Sequence, residues 1–196
     1  VELQPTELTL EIAPQRAFVG DPVTFRGRLT TRAAAVPGKD ITLELDGQTY
    51  TAARTGPGGY YGGEFSLPYR YGEMIGVRVR YLPVGEETGV YIPAMSPLVE
   101  VEMPFYFSRL HLEVPAKAYP GLSMIVKGGF NYADPLPLGP REIEMFIDSA
   151  PGGSAMVSQD FQIGLPVDNS LIIGRHQIAV RAPGQGRYGP ASAAMS

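Results

Sequence analysis

The fold is decided by a stretch that occurs twice, as VGDPVTFRG at Val19–Gly27 and, about a hundred residues later, as PGLSMIVKG at Pro120–Gly128. Further blocks recur in the same order: Ile41–Asp46 with Ile143–Asp148, Phe65–Pro68 with Phe161–Pro166, Val77–Arg80 with Ile178–Arg181, and Tyr91–Ala94 with Tyr188–Ala191. A colinear period of this length predicts two copies of one domain, because solenoid repeats are much shorter. We place the copies at residues 1–103 and 104–196.

The composition of the 196-residue chain fits two globular domains without metals or disulfides. Hydrophobic residues make up 44% of the chain, and cysteine is absent. Each copy is long enough to bury a hydrophobic core, and the absence of cysteine excludes disulfides and thiol catalysis. A formal net charge of −4 argues against nucleic acid as a partner. No apolar run is long enough to span a membrane, so we expect no membrane insertion.

Alternating apolar and polar residues predict an all-β chain. Apolar side chains recur at every second position in stretches such as Leu8–Ile12, Ile41–Leu45 and Val99–Met103. This period indicates strands with one buried face and one exposed face. Glycine and proline interrupt nearly every window of a dozen residues, which disfavours helices. Short strands separated by turns favour a β-sandwich for each copy.

Two turn signals and one linker complete the predicted architecture. Asp46-Gly47 predicts a tight hairpin, and its counterpart at Asp148–Gly153 predicts a longer loop. The linker at Pro104–Phe107 contains three consecutive aromatic residues, so we expect it to pack rather than to act as a flexible tether. We therefore expect a semi-rigid arrangement of the two domains.

These motifs together resemble the immunoglobulin-like repeats of bacterial and archaeal surface-layer, adhesin-like and membrane-anchored extracellular proteins. The residues that carry the resemblance are Gly20, Val23 and Gly27, then Pro37, Ile41–Leu43 and Asp46-Gly47, then Thr55, Gly59-Tyr60 and Phe65, then Val77, Val79, Tyr81 and Tyr91. The resemblance implies two immunoglobulin-like sandwiches, an extracellular or cell-surface location, and no shared catalytic residues. The second copy departs from the pattern at Ser149, and we expect its last strand to be missing or frayed.

The sequence predicts no catalytic residues, no cofactor and no metal site. His111 and His176 fall on different predicted strands, and Glu113 alone is close to a histidine in sequence. One carboxylate does not make a zinc site, so we interpret both histidines as surface residues. The acidic residues of the loops are dispersed, whereas a calcium loop needs several oxygen ligands close together.

The candidate binding residues are four tyrosines of the first copy, Tyr60, Tyr61, Tyr69 and Tyr71. The second copy has only Phe161 in the matching region. Residues present in one copy alone are freer to serve function, and exposed tyrosines favour protein interfaces or sugar stacking. The competing interpretation is that these rings cover the edge of the sandwich or pack against the neighbouring domain.

Two functions remain open from the sequence. The first is a non-catalytic extracellular spacer, structural module or protein-interaction module of a larger surface protein, with a protein or a cell-surface polymer as the partner. The second is a carbohydrate-binding or peptide-binding module that serves an enzyme elsewhere in the parent chain. We favour the first, because the repeated residues are turn and core positions, which specify a fold rather than a reaction.

Overall fold

The structure is a computed structural model that describes residues 3–133 and 139–196, and it is all-β. The chain divides into two compact units, Val1–Pro104 and Phe105–Ser196. Within the described residues, helical structure is limited to two short 3-10 turns, Pro57–Gly59 and Gly85–Gly89. The prediction of two tandem immunoglobulin-like β-sandwiches is confirmed.

The first unit consists of two antiparallel sheets. Its strands are β1 (Thr6–Leu8), β2 (Glu11–Ala13), β3 (Pro22–Thr31), β4 (Asp40–Leu45), β5 (Gln48–Arg54), β6 (Tyr60–Ser66), β7 (Met74–Tyr81), β8 (Ala94–Met95) and β9 (Val99–Glu102). In one sheet, β1 and β2 pair with one edge of β3 while β6 pairs with the other edge. In the other sheet, the order is β5-β4-β7, and both β8 and β9 pair with the free edge of β7.

The second unit repeats this topology. Its strands are β10 (Ser108–Glu113), β11 (Ser123–Tyr132), β12 (Arg141–Ile147), β13 (Ala150–Val157), β14 (Asp160–Pro166), β15 (Ile178–Ala182) and β16 (Ala191–Met195). The sheet orders are β10-β11-β14 and β13-β12-β15-β16. If β1 and β2 are counted as one first strand, the fourth strand of each sandwich pairs with the third: β5 pairs with β4, and β13 pairs with β12. A constant-type immunoglobulin domain instead places its fourth strand in the opposite sheet.

The β12–β13 hairpin differs from the sequence-based prediction. The Asp46-Gly47 turn has positive φ at both residues, as a two-residue hairpin turn requires. The second unit has the same two-residue turn at Asp148-Ser149, with φ of 50° and 71°, and not the longer loop predicted over Asp148–Gly153. The glycines that suggested a loop lie in β13, where the register shifts opposite Met145 and Phe146. They form a β-bulge rather than a turn.

The second copy has a last strand, β16, where the sequence led us to expect a missing or frayed one. Strand β16 pairs with β15 without interruption, from Ile178 opposite Met195 to Ala182 opposite Ala191. In the first unit two short strands share this place, because Pro97 between them has no N–H to donate to the ladder. The second unit therefore has one uninterrupted strand of 5 residues where the first unit has two short strands.

The cores of the two units are equivalent. Phe25 and Leu43 in the first unit and their predicted counterparts Val126 and Met145 in the second are all buried. One expected match needs correction, because Phe161 corresponds to Tyr61 and not to Phe65.

This correction follows from the register of the paired strands. Gly27 lies opposite Tyr61 and Gly128 lies opposite Phe161. A Cβ at Gly128 would lie 2.6 Å from the carbonyl oxygen of His111, and a Cβ at Gly27 would collide with Thr9. Both glycines are therefore needed for the close approach of the first strand of each unit.

Candidate functional site

The structure separates the four candidate tyrosines. Tyr61 is buried, with 5% of its surface exposed, and its hydroxyl donates a hydrogen bond to the carbonyl oxygen of Thr9. Burial raises the pKa of Tyr61. Tyr60, the preceding residue of β6, is 61% exposed, and the Arg28 guanidinium lies 4.8 Å from the centre of its ring. Adjacent strand residues face opposite sides of a sheet, so only Tyr60 of this pair is accessible.

Tyr69 and Tyr71 follow the opposite end of the same strand. Strand β6 begins at Tyr60 and ends at Ser66, so the two pairs of tyrosines are separated by about 20 Å of extended chain. Tyr69 is 61% exposed and lies against Gly20. The residues proposed from the sequence therefore do not form one binding surface.

The described parts of the chain contain no group of three or more histidine, cysteine, aspartate or glutamate residues that could hold a metal ion. His111 lies on the exposed face of β10. In residues 3–133 and 139–196, no helix is long and apolar enough to span a membrane.

His176 has a role that sequence reasoning missed. Its Nδ1 lies 2.5 Å from Oδ2 of Asp148, and its Nε2 lies 2.7 Å from the carbonyl oxygen of Ile172. Both ring nitrogens face acceptors, and only the protonated imidazolium can donate to both. Hydrogen bonding to Asp148 raises the pKa of His176, and hydrogen bonding to His176 lowers the pKa of Asp148.

The first unit contains the same turn aspartate with a different partner. Oδ1 of Asp46 accepts a hydrogen bond of 2.7 Å from the N–H of Gly76, just as Oδ1 of Asp148 accepts one of 2.8 Å from Gln177. The other carboxylate oxygen of Asp46 pairs with Arg70, where Asp148 pairs with His176. The alignment of Asp46 with Asp148 was the sequence signal that could have identified this arrangement.

A concave surface lies at the end of the second unit where β16 finishes. It encloses a volume of about 710 Å³. We call it the end pocket and define it by its floor and rim residues, which are Met124, Ile147, Val167 and Ile178 in the floor, and Lys117, Tyr119, Ile172, Ile173 and Arg175 at the rim.

The rim of the end pocket exposes apolar side chains to solvent. Ile173 is fully exposed and Ile172 is 79% exposed. Both belong to the loop between β14 and β15, residues 167–177. The sequence signal for this surface was the apolar run Leu171–Ile173, but the search for chemistry concentrated on charged and aromatic residues.

An acidic loop lies at the end of the first unit where β1 begins. Glu87 accepts a hydrogen bond of 2.6 Å from Nζ of Lys39 and one of 3.1 Å from the Tyr81 hydroxyl. The bond from Lys39 contributes most to lowering the pKa of Glu87. These contacts fix the loop that connects β7 to β8.

Comparison with known proteins finds similarity at the level of solved structures. No family model matches the chain, and no curated protein matches it. A tetra-tandem repeat from the extending region of a large adhesion protein is 14% identical, with a TM-score of 0.43, over 97% of this chain and 49% of that one. The adhesin InvE of Yersinia pseudotuberculosis is 13% identical, with a TM-score of 0.42, over 97% of this chain and 58% of that one.

A third similar structure is a C-terminal fragment of intimin in complex with the intimin-binding domain of the translocated intimin receptor. It is 13% identical, with a TM-score of 0.35, over 95% of this chain and 62% of that one. The chain thus spans about half of the adhesion-protein structure and less than two thirds of the other two. The similar structures include the class of surface protein that the sequence resembles.

Proposed function

We propose that the chain is a non-catalytic extracellular spacer and interaction module of a larger surface protein. The observation that carries this proposal is the path of the chain through each sandwich. In the second unit, Tyr106 bridges to Tyr188 before β10 begins, whereas β16 finishes with Met195 opposite Ile178, close to the Asp148 turn. The first strand starts at one end of the unit and the last strand finishes at the other.

The first unit has the same path. Gln4 bridges to Tyr91 at one end, and the N–H of Met103 donates to the carbonyl oxygen of Glu73 at the other. The longest strands of the two units, β3 and β11, each have 10 residues and so span about 33 Å. Each unit therefore carries the chain forward by roughly the length of its sandwich, which is what a spacer needs.

The engaged polar groups also support a structural role. Asp46, Asp148 and His176 hold turns against neighbouring strands, and Glu87 anchors a loop. Each of these groups is engaged with a backbone or side-chain partner, as expected of polar groups that hold a fold together.

Single-molecule force spectroscopy tests the spacer role. Pulling the chain from its two ends should give two separate unfolding events, each releasing about 90 residues and lengthening the chain by about 28 nm. A Val126→Ala variant, which opens a cavity in the second core, should lower the force of one event only. One combined event, or extension without measurable resistance, would contradict the proposal.

The extracellular location is tested separately. An antibody against the chain should bind intact cells of the source organism, and external protease should remove the signal. Signal that appears only after the cells are broken would place the chain inside.

Exposed Tyr60 and Tyr69 favour a carbohydrate-binding module as the second candidate function. Both rings are 61% exposed, and aromatic faces stack on sugars. Affinity electrophoresis in gels that contain soluble polysaccharides distinguishes the two candidates. The spacer proposal expects no retardation that depends on these two tyrosines, whereas retardation that is lost in Tyr60→Ala or Tyr69→Ala would establish the alternative.

A further inference from the structure

Strand β13 forms an open edge of the second unit. It pairs with β12 on one side, and no other described strand pairs with its second side. The sheet order β13-β12-β15-β16 places the last strand of the chain at the opposite edge. The matching strand of the first unit, β5, likewise pairs with β4 alone among the described strands. An open edge of this kind presents N–H and C=O groups that a further strand can bind.

The register identifies which backbone groups of β13 bond to β12. Along a strand inside an antiparallel sheet, successive residues bond alternately to one neighbouring strand and to the other. The N–H of Asp148, which follows β12, donates to the carbonyl oxygen of Gln177 at 2.9 Å, so the even-numbered residues of β12 bond to β15. Its odd-numbered residues therefore bond to β13. One of them, Ile143, lies opposite Ala155, so Ala155 uses its N–H and C=O groups on β12.

The residues on either side of Ala155 point their backbone groups to the open side. These residues are Ser154 and Met156, which lie opposite even-numbered residues of β12. An identical strand that runs antiparallel, with Ala155 opposite Ala155, places Ser154 opposite Met156 twice. Each of these pairs can exchange two N–H···O=C bonds. The open part of β13 is therefore complementary to itself.

The first unit has a charged residue where β13 has a methionine. Arg54 lies opposite Asp40 and Met156 lies opposite Glu142, so the two residues occupy matching places. Arg54 is exposed, and Met156 is 61% exposed. Strand β13, Ala150–Val157, contains no charged residue. Charged side chains commonly protect open edges from pairing, so β5 has a protection that β13 lacks.

The first half of β13 is protected in another way. Pro151 has no N–H to donate, and the β-bulge at Gly152 interrupts the regular spacing of the backbone groups. Pairing with a further strand is therefore confined to residues 153–157. A contact of this length predicts weak and reversible association.

We propose that β13 of one molecule pairs with β13 of a second molecule of the same chain, antiparallel and about a two-fold axis at Ala155. The contact joins two sheets of four strands into one continuous sheet of eight. It is isologous, because both molecules use the same surface, so it closes as a dimer. This inference rests on the proposed interaction role and names its partner as the same protein.

Sedimentation velocity over about 1 µM to 1 mM measures the association, because weak contacts fall in this range. The wild type should pass from monomer to dimer and form nothing larger. Met156→Arg, which copies the residue at the matching place in β5, should dimerise at least about tenfold more weakly, since it brings like charges together at the contact. A wild type that is monomeric at every concentration, or a Met156→Arg variant that dimerises as well as the wild type, would overturn the proposal.

A matched control separates the position of the charge from the charge itself. Met74→Arg adds the same charge at an exposed methionine of β7, which is 48% exposed, and should dimerise like the wild type. Both arginine variants should keep the wild-type melting temperature within a few degrees, because their side chains are exposed. Equal weakening by both substitutions would show a general charge effect and refute the assignment to β13.

A cysteine at the two-fold axis tests the register of the contact. The chain contains no cysteine, so Ala155→Cys introduces a single thiol. Directly opposite residues of a pair without mutual hydrogen bonds have Cα atoms about 4.5 Å apart, which a disulfide can span. Mild oxidation, at a concentration where the wild type is dimeric, should give a disulfide-linked dimer.

The control for this test is Ala53→Cys in β5. Ala53 lies opposite Ile41 as Ala155 lies opposite Ile143, so the two thiols occupy matching places in the two units. Ala53→Cys should remain largely without a cross-link under the same conditions, because Arg54 protects that edge. Equal cross-linking of both variants, or none in Ala155→Cys, would refute the proposed pairing.

Amide hydrogen exchange, followed residue by residue by NMR, observes the new hydrogen bonds directly. Exchange at Ser154 and Met156 should slow as the concentration rises, whereas exchange at Ala52 and Arg54 of β5 should stay constant. Exchange that is independent of concentration at all four residues would overturn the inference. The force measurement on single chains does not involve this contact, so a monomer that gives two unfolding events would leave the proposed function standing.

Discussion

At the residue scale, the two turn aspartates perform the same task with different partners. Each occupies a left-handed backbone conformation, with φ of 47° at Asp46 and 50° at Asp148, and aspartate tolerates this region better than most residues. Each also uses one carboxylate oxygen to accept the N–H of a residue in or beside the neighbouring strand. Both units therefore use the same aspartate hydrogen bond to attach a hairpin to its sheet.

Replacing Asp46 should destabilise the first unit. Asp46→Ala leaves the N–H of Gly76 without its side-chain acceptor and should lower the free energy of unfolding by about 1 kcal/mol. Urea unfolding measures this change. Asp46→Asn is the matched control, because its amide oxygen can still accept the bond, and a loss as large as that of Asp46→Ala would show that charge rather than the hydrogen bond matters.

The His176–Asp148 pair should make stability depend on pH. The pKa of His176 is raised on folding, so its contribution is present below the unfolded value of about 6.5 and is lost as pH rises through the folded value. The pKa of Asp148 is lowered, so its contribution is present above the unfolded value of about 3.9 and is lost as pH falls. The pair should therefore stabilise the fold most between about pH 4 and 6.5.

Urea unfolding of the wild type and of His176→Gln from pH 5 to 9 tests this dependence. The wild type should lose its advantage over the variant as the pH rises. His111→Gln serves as the control, because the structure pairs His111 with no carboxylate among the described residues. An advantage that stays constant over the whole range would refute the coupling between protonation and stability.

At the element scale, the turn of the β12–β13 hairpin contains a strained backbone conformation that one substitution can relieve. Ser149 has φ of 71°, a conformation that glycine adopts without cost and that Gly47 adopts at the matching place. Ser149→Gly should therefore stabilise the second unit by about 0.5–1 kcal/mol. Thermal unfolding gives the sign, and the reverse change, Gly47→Ser, should destabilise the first unit by a similar amount.

The same hairpin shows how far the sequence could predict the fold. The alternation of apolar and polar residues and the internal repeat were sufficient to predict the strands, the sandwich class and the buried positions. A period of two residues follows directly from strand geometry. Asp-Gly identified the first hairpin, but Pro151-Gly152-Gly153 was interpreted as a loop. Glycine is common in bulges as well as in turns, and only the pairing of β13 with β12 shows that this segment is a bulge.

The candidate site was less predictable for a related reason. Tyr60 and Tyr61 are neighbours in sequence but face opposite sides of β6, and Tyr69 lies beyond its far end. Closeness in sequence does not give closeness in space along a strand. The end pocket depends on two loops separated by about fifty residues, so composition alone could not bring them together.

At the scale of the whole molecule, stability should not depend on metal. The described residues hold no cluster of metal ligands, so we expect a chelator to leave the free energy of unfolding unchanged. Differential scanning calorimetry with and without EDTA should give the same two-domain profile. A clear drop in melting temperature with EDTA would indicate a loop site near Asp21 or Glu86.

The aromatic segment after Pro104 should influence the arrangement of the two units. Phe105 and Phe107 lie with ring centres 4.8 Å apart, and the Tyr106 ring lies 5.3 Å from that of Tyr188. The contact between Tyr106 and Tyr188 holds the segment against the second unit, while Phe107 is 62% exposed. Replacing Phe105, Tyr106 and Phe107 together by alanine should change the small-angle scattering profile. Identical profiles would show that the rings do not set the geometry.

The last strand of each unit has a consequence for biosynthesis. Neighbouring domains of one topology can exchange strands while they fold, and such misassembly is a typical failure of repeat proteins. The two final strands differ in form, because the first unit divides this strand at Pro97 while β16 pairs continuously. This difference should disfavour pairing of β16 with the first sandwich during synthesis, when the first sandwich leaves the ribosome before the second.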